Sequence, residues 1–422
     1  MTHVKQDRIV RDLALRVREI ASLPENAVKR QLWADHNELK KGGRPPLWVC
    51  IDEDGGWLEL IPNTELRTED LDLRVLERKL RQLVYQHGHF SDDFVYEPFL
   101  HFDMKGEYTG YLYGDANQKT AWGIGIAAKG VGEGAYHLDN YLSDPANVER
   151  LLAHEVDFIP DPEAAGRLQE KYGSALDGIL ETRFVIPYGT LVQSLIIDLV
   201  HLRGLTELML DLYDNPDLLH RIMDHMSASK ARLLDRLEER GLLFDNHTNI
   251  YTGSGGLGYT NRRLDSPKLR VSELWGFADS QEFSTVSTPM FEEFALAYQK
   301  RGLNKFGYAC YGCCEPLDLK YDAIFREIPR IRRLSVSPWS DIPLAAQKIG
   351  DRAILSWKPN PVLCMGFDWD GMDSFLRGVA RTTKNNNTEI ILKDIRTCAG
   401  TPLHIQDFVN LVRRHFCRDS GR

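Results

Sequence analysis

Three cysteines, a tyrosine and a glutamate lie within six consecutive positions of the segment YACYGCCEP at residues 308–316. Cysteine thiolates are soft ligands that suit zinc, and a catalytic zinc site keeps one position open for substrate. Consecutive residues in an extended turn point in different directions. We therefore expect one cysteine of the adjacent pair to face a site, and we predict Cys313 as a metal ligand, with Cys314 and Glu315 as alternates.

Core packing, redox chemistry and nucleophilic catalysis are alternative interpretations of this cluster. Free cysteine is among the most buried residue types and often fills core space. The spacing Cys310-x-x-Cys313 occurs in redox proteins, but it needs a thioredoxin-like context. A cysteine nucleophile needs a neighbouring base, and the nearest histidines are distant in sequence, so the fold would have to supply one. The sequence leaves these alternatives open.

The segment GSGGLG at residues 253–258 matches the glycine pattern of a dinucleotide-binding turn. That turn requires a helix that begins at the last glycine. The residues that follow, YTNRRLDSPKLR, show no helical apolar period. We therefore predict a flexible loop over the mouth of the site instead of a nucleotide site.

The 422-residue chain has the composition of a globular protein, with 43% hydrophobic and 27% charged residues. Its formal net charge of -9 argues against a nucleic-acid partner, which needs a basic surface. No stretch resembles a signal peptide or reaches the ~20 apolar residues of a membrane span. The seven cysteines are odd in number and dispersed, so we expect free thiols. These features predict a cytoplasmic protein without membrane or nucleic-acid partners.

From about residue 92 onward, short apolar runs alternate with helix-like sequence, which is typical of parallel βα units. Eight candidate strands lie at residues 94–103, 183–189, 242–249, 274–279, 304–310, 331–337, 353–358 and 389–394. The predicted fold is an α/β protein of the (β/α)8 TIM-barrel type, with a long insertion, residues 104–182, after the first barrel strand.

The front of the chain has a different pattern. Residues 5–41 and 69–88 show helical periodicity, and a strand-like run, PLWVCID, separates them at residues 46–52. We predict a mostly helical N-terminal extension over residues 1–91 and a TIM-barrel catalytic domain over residues 92–422.

In a TIM barrel the active site lies at the C-terminal ends of the strands, so the polar residues there are the candidates for chemistry. The predicted catalytic residues are Lys358, Lys393, Asp279 and His247. The predicted substrate-binding residues are Trp275, Gln281, Tyr311, Trp339, Arg396 and His101.

Two lysines, Lys358 and Lys393, end apolar strands, where an unpaired cation would be costly. Each could hold a substrate carboxylate or phenolate, or pair with an acid such as Glu282 or Asp394. A structural ion pair is the simpler interpretation for either lysine alone. Both lysines together favour an anionic or electron-rich substrate.

Five segments, at residues 276–300, 306–317, 335–341, 356–361 and 391–402, carry a family resemblance. In their order and spacing the chain resembles the uroporphyrinogen decarboxylase superfamily, and within it the corrinoid-dependent methyltransferases. The resemblance covers roughly residues 90–416. It implies a TIM barrel whose mouth holds zinc and a small methylated substrate, with the methyl group passing to cobalt on a separate corrinoid protein.

The resemblance also implies a ligand set. Members that methylate a thiol use a His-x-Cys pair and a later cysteine, but Tyr311 stands here at the histidine position. Members that demethylate phenyl methyl ethers look instead as if they bind zinc through one Glu and two Cys ligands. Glu282, Cys313 and Cys398 would supply that set here. We therefore expect a zinc-dependent methyltransferase that takes a methyl group from a small methylated compound, with O-demethylation of a phenyl methyl ether as one such reaction.

Two alternatives to this function remain. One is a metal-free decarboxylase or lyase on the same barrel, although the arginine-rich motif of the decarboxylase is absent, and PPLWVCIDEDGGW stands at its place, residues 45–57. The other is a non-catalytic barrel that binds a small molecule. The expected partners are the methylated substrate and a corrinoid protein, and a homodimer is one option for the oligomeric state.

Overall fold

The computed structural model describes residues 3–112, 118–127, 139–262, 268–365 and 368–417. Its strands are β1 (Leu47–Ile51), β2 (Phe99–Asp103), β3 (Gly106–Tyr108), β4 (Thr120–Ala121), β5 (Ile124–Gly125), β6 (Phe158–Pro160), β7 (Glu181–Val185), β8 (Trp275–Ala278), β9 (Tyr308–Tyr311), β10 (Ile331–Val336), β11 (Ile354–Trp357) and β12 (Asn387–Ile395). Its helices are α1 (His3–Ala21), α2 (Glu25–Asn37), α3 (Gly56–Leu60), α4 (Leu71–His89), α5 (Pro145–Ala153), α6 (Pro162–Leu176), α7 (Ile196–Arg203), α8 (Leu205–Asp214), α9 (Pro216–Glu239), α10 (Thr288–Phe291), α11 (Ala297–Leu303), α12 (Tyr321–Glu327), α13 (Ile342–Ile349), α14 (Trp369–Thr382) and α15 (Leu403–Phe416). Among the helices of these residues, none combines the length and the apolar character that a membrane crossing requires.

A parallel sheet of six strands, in the order β1, β12, β11, β10, β9, β8, forms the centre of the described structure. Each strand from β8 to β12 is followed by helix before the next strand begins. All residues of β8 and β11 are buried, as expected for parallel strands that helices cover on the outside. The predicted parallel βα units are therefore confirmed for the second half of the chain.

Strand β1 comes from the front of the chain and belongs to the central sheet. It pairs in parallel with β12, with Leu47 opposite Ile390 and Val49 opposite Leu392. The strand predicted at residues 46–52 is thus confirmed. The domain boundary at residues 91 and 92 stays a prediction.

Three of the eight predicted strands do not join the central sheet. Residues 242–249 form no strand, and residues 94–103 and 183–189 contribute only to β2 and β7, which pair with each other in a separate sheet. The predicted insertion, residues 104–182, contains two small antiparallel pairs and the helices α5 and α6. The described residues therefore contain six strands in the central sheet instead of the predicted eight.

Polar side chains form hydrogen bonds along the two edges of the central sheet, where further strands were predicted to pair. The Asn246 side-chain amide donates to the Trp275 carbonyl oxygen, and its oxygen accepts from the Trp275 N–H. At the other edge, the Asp93 N–H donates to the Leu47 carbonyl oxygen and the Asp93 carboxylate accepts from the Leu47 N–H. Side chains thus occupy the hydrogen-bonding positions that neighbouring strands would use.

A buried ion pair, Arg333 with Glu389, crosses the inner face of the sheet. The guanidinium nitrogen of Arg333 on β10 lies 2.9 Å from the Glu389 carboxylate on β12, and both side chains are almost fully buried. Arg333 also donates to the Asn37 side chain of α2 and to the Thr252 hydroxyl, both at short range. The pair therefore joins the sheet, an N-terminal helix and the glycine-rich segment.

The glycine-rich segment is buried against this ion pair. Gly253, Gly255 and Gly256 all have positive φ angles, between 63° and 120°. A Cβ atom on Gly256 would come within 2.7 Å of the Arg333 Cζ atom, and one on Gly255 within 2.5 Å of the Ile391 side chain. The glycines here allow close approach to the interior of the sheet, so the predicted loop is buried, and its flexibility stays a prediction.

Replacing Glu389 with glutamine is expected to lower the free energy of unfolding by about 3–5 kcal/mol, because it leaves Arg333 buried without its counter-ion. Urea unfolding at neutral pH measures this loss. Glu163→Gln is the matched control, since its carboxylate pairs with Arg167 at the surface. Equal stability of the two variants would contradict the role given to the buried pair.

The same pair predicts a loss of stability in acid. Burial alone would raise the pKa of Glu389, but Arg333 and His36 lower it from an ordinary 4.5 to about 2. The stabilisation should therefore be complete above the ordinary pKa and disappear as the pH falls towards the folded pKa. The difference in unfolding free energy between the wild type and Glu389→Gln, measured from neutral pH into acid, should shrink as the pH falls.

Candidate active site

A cavity of about 810 Å³ opens at the C-terminal ends of β8, β9 and β12. It brings together five of the predicted site residues, Asp279, Gln281, Cys313, Cys314 and Lys393. They meet because the C-terminal ends of all the parallel strands lie at the same edge of the sheet. The remaining wall comes from segments outside the sheet and includes Asp103, Tyr111, Tyr188, Ser194, Asp198, Lys230, Tyr251 and Ser254.

The two adjacent thiols and the Lys393 ammonium form the polar centre of the cavity. The Cys313 and Cys314 sulfurs are 3.6 Å apart, and the Lys393 Nζ atom lies 3.6 Å from the Cys313 sulfur. The hydrogen bond from Cys313 lowers the pKa of the Cys314 thiol, and the Lys393 charge lowers it further. Burial alone would lower the pKa of Lys393, but the neighbouring Tyr251, the thiols and Asp394 raise it. The same hydrogen bond and burial raise the pKa of the Cys313 thiol, so Cys314 and not Cys313 is the thiol that ionises more readily beside the Lys393 charge.

Local backbone contacts hold the two thiols in place. Gly312 precedes them with a φ of 89°, a conformation that glycine adopts without strain. The Glu315 carboxylate accepts from the Cys313 N–H at 2.8 Å and from the Ser280 N–H at 3.0 Å. Burial and the nearby Asp279 raise the pKa of Glu315 to about 8. The alternate ligand Glu315 therefore lies under the cysteine loop and joins it to the end of β8.

The backbone beside Lys393 is strained. Asp394, the next residue on β12, has a φ of 59°, which non-glycine residues rarely adopt. Its carboxylate lies 3.5 Å from the Lys393 Nζ atom. Such outliers persist where the surrounding structure requires them, often at functional sites. Lys393 also donates to the Ser254 hydroxyl, which fixes it against the glycine-rich segment.

Two carboxyl groups at the end of β8 have raised pKa values. Asp279 accepts a 2.5 Å hydrogen bond from the Ser194 hydroxyl, and burial raises its pKa. Burial and the neighbouring Asp279 raise the pKa of Glu282 to about 7. The buried Oε2 atom of Glu282 has no hydrogen-bond partner among the described residues. Glu282 can therefore exchange a proton near neutral pH, as a general acid or base must.

The sequence reasoning missed the wall opposite the thiols. Lys230 on α9 lies 3.0 Å from Asp198 on α7 in a buried ion pair, and it donates to the Ser194 carbonyl oxygen. The Trp122 indole N–H also donates to Asp198. One signal was available: Ser194 and Asp198 interrupt the otherwise apolar run of residues 192–201, and buried polar residues usually have such partners.

Three predicted residues are buried beside the cavity but do not line it. Lys358 donates to the Ser356 hydroxyl and carbonyl oxygen, and burial lowers its pKa to about 8. The Trp275 indole N–H donates to the Gly258 carbonyl oxygen. The Tyr311 hydroxyl donates to Gln299 at 2.6 Å. Each of these polar groups has a partner inside the protein.

The other predicted residues lie elsewhere. His247 bonds to Thr260 and the Glu273 carbonyl oxygen, and Cys398 is buried with its N–H donating to Glu59. Arg396 and Trp339 are exposed. His101 on β2 lines a separate cavity of about 230 Å³. Burial and the nearby Lys79 and Arg183 lower the pKa of His101 to about 4, so it is neutral there.

A larger cleft, of about 960 Å³, lies at the opposite end of the sheet beside the start of β12. It contains none of the predicted site residues. Of its cations, Lys40 pairs with Asp35 and Lys41 with Asp351. The cavity at the C-terminal ends therefore remains the candidate active site.

Comparisons with known proteins add little to this geometry. No protein-family model matches the chain, and no curated protein matches it. A methyltransferase from Methanosarcina mazei matches in structure with a TM-score of 0.47 and 10% identity, over 92% of this chain and 98% of that chain. A likeness this weak shows nothing about the activity of this chain.

The predicted zinc ligands do not come together. The two thiol sulfurs could share a tetrahedral zinc, since two 2.3 Å bonds span roughly 3.7 Å. However, Cys398 lies outside the cavity, and residues 3–112, 118–127, 139–262, 268–365 and 368–417 contain no group of three His, Cys, Asp or Glu side chains placed to hold a metal ion. The residues present therefore do not fit the Glu282, Cys313 and Cys398 set.

Cys314 is expected to react with iodoacetamide faster than the other cysteines, because it is exposed at the cavity and its thiol pKa is lowered. Lys393→Met should move the pH midpoint of this alkylation upward, since it removes the neighbouring positive charge. Lys384→Met, at an exposed lysine, should leave the midpoint unchanged. Mass spectrometry of the labelled peptides gives the rates, and an unmoved midpoint in Lys393→Met would exclude this coupling.

Proposed function

We propose that the chain is a methyltransferase that moves a methyl group from a small methylated compound in the 810 Å³ cavity to a corrinoid protein at its mouth. The observation that carries the proposal is the grouping of Cys313, Cys314 and Lys393 in an aromatic-lined cavity at the C-terminal ends of parallel strands. The resemblance of the surrounding segments to corrinoid-dependent methyltransferases supports it.

The proposal includes closure of the sheet into a barrel. The Asp93 segment bonds to β1 at one edge, the Asn246 side chain bonds to β8 at the other, and the Asn249 side chain donates to the Val95 carbonyl oxygen between them. Val192 forms a parallel bridge to Phe277 of β8. These contacts support the proposal that segments 92–96 and 246–249, although irregular, take the places of the missing strands and close the TIM barrel.

The chemistry requires a donor held in line with an incoming nucleophile. A reduced corrinoid supplies that nucleophile when its carrier protein is bound. The bond between the methyl carbon and the donor heteroatom breaks, and the electron pair stays on the heteroatom. If the donor is a phenyl methyl ether, the Lys393 ammonium, which lines the cavity, stabilises the phenolate that leaves.

An exposed apolar rim on the same face supports a protein partner. The rim consists of Leu319, Trp339, Val362 and Leu403, each on the loop or helix start that follows one of the strands β9 to β12. All four side chains are more than half exposed. Contiguous exposed apolar surface marks protein contact sites, so we propose that these four side chains form the surface on which the methyl-accepting protein docks.

Lys393→Met is expected to lower kcat/KM for methyl transfer from 2-methoxyphenol by roughly 100-fold or more, because it removes the charge that stabilises the departing phenolate. The assay follows the loss of cob(I)alamin absorbance and the demethylated product with 2-methoxyphenol and other methylated compounds as donors. Lys384→Met is the control. Release of carbon dioxide from a carboxylated substrate without methyl transfer would instead favour the decarboxylase alternative.

Zinc binding stays a prediction. If zinc is bound through the cysteine loop, metal analysis of the purified chain should find about one zinc per chain, lost in Cys313→Ser and kept in Cys417→Ser. A metal-free wild-type protein that retains methyl transfer would remove zinc from the proposal and leave the methyltransferase intact.

A further inference from the structure

Aromatic rings form much of the cavity wall. Tyr111, Tyr188, Tyr251 and Phe277 all line it. Phe277 and Tyr188 pack in one apolar cluster with Cys313 beneath the cavity. The faces of aromatic rings carry partial negative charge and attract cations, most strongly where water is excluded. This wall therefore suits a positively charged group with apolar substituents.

The charged side chains of the cavity wall also favour a cationic ligand. Its two ammonium groups are already paired, Lys230 with Asp198 at 3.0 Å and Lys393 with Asp394 at 3.5 Å. Two further carboxyl groups, Asp103 and Asp279, also line the cavity, and no salt bridge to either is found among the described residues. Asp279 has the Ser194 hydroxyl as its hydrogen-bond donor, which carries no charge. A ligand cation would supply the positive counter-charge that Asp103 and Asp279 do not have within the protein.

We propose that the methyl donor is an onium compound, a quaternary ammonium or sulfonium ion, whose cationic centre binds against Tyr188, Phe277 and Asp279. This proposal rests on the proposed methyltransferase function. The carbon–nitrogen or carbon–sulfur bond breaks, its electron pair stays on the heteroatom, and the methyl group passes to the reduced corrinoid. The donor leaves as a neutral tertiary amine or thioether, so this leaving group needs neither a proton nor a Lewis acid.

An onium donor fits this wall better than a phenyl methyl ether does. The phenolate that an ether releases is an anion, and Asp103 and Asp279 would repel it. The sequence favoured an anionic or electron-rich substrate because two lysines ended apolar strands. One of them, Lys358, does not line the cavity, and the other, Lys393, has Asp394 beside it.

Calorimetric titration of the full chain with choline and with its neutral carbon isostere, 3,3-dimethylbutan-1-ol, tests the inference. The two ligands have nearly the same shape and differ in charge, so choline should bind about tenfold or more tightly than the isostere. Equal affinities, or no binding of choline while 2-methoxyphenol binds, would overturn the proposal.

Variants locate the binding site. Phe277→Leu and Asp279→Asn should each weaken choline binding about tenfold and leave binding of the isostere nearly unchanged. Tyr213→Leu removes an exposed aromatic residue outside the cavity and should change neither affinity. If Asp279→Asn does not fold, Asp103→Asn tests the same charge. Unchanged choline affinity in the folded cavity variants would overturn the assignment.

Binding and methyl transfer separate this inference from the function on which it rests. Selective choline binding without loss of cob(I)alamin absorbance would leave the onium site in place and overturn the methyltransferase. Transfer from 2-methoxyphenol with no choline binding would keep the methyltransferase and overturn the onium donor.

Discussion

The ion pair between Arg333 and Glu389 is the interaction on which the rest of the structure depends. Two opposite charges buried inside a sheet are costly to desolvate and remain there only when they are well paired. Here the guanidinium also reaches Asn37 of α2 and Thr252 of the glycine-rich segment. The pair thereby fixes an N-terminal helix, two strands and a loop that are far apart in sequence.

That arrangement sets the position of the candidate site. Alternate residues of a strand share a face, so Glu389, Ile391 and Lys393 of β12 form one row. Glu389 lies in the interior, where it pairs with Arg333, and Ile391 packs against Gly255. Lys393 lies in the cavity beside Cys313. The glycines matter because a side chain at Gly255 or Gly256 would overlap Ile391 or Arg333. The ammonium in the site is thus held by the same packing that holds the buried pair.

Sequence patterns predicted the part of this architecture that depends on apolar periodicity. The strands from β8 to β12 and the strand-like run at residues 46–52 were found because they are short, apolar and bounded by polar residues. Residues 242–249 have a similar pattern, but the Asn246 side chain bonds to the Trp275 backbone in place of a strand ladder. An apolar pattern cannot predict such a side-chain hydrogen bond. Of the site, Lys393 and the two thiols could be found because they end strands. Lys230 and Tyr251 could not, since a helix and a loop bring them to the cavity.

We propose that the cavity between Phe277, Cys314 and Lys393 binds the methylated substrate. The most direct measurement is a crystal structure of the full chain grown with choline. We expect electron density for the trimethylammonium group in contact with Tyr188 and Phe277, with Cys314 and Lys393 lining the same space. Density for choline only in the cleft at the opposite end of the sheet, with this cavity filled by water, would contradict it.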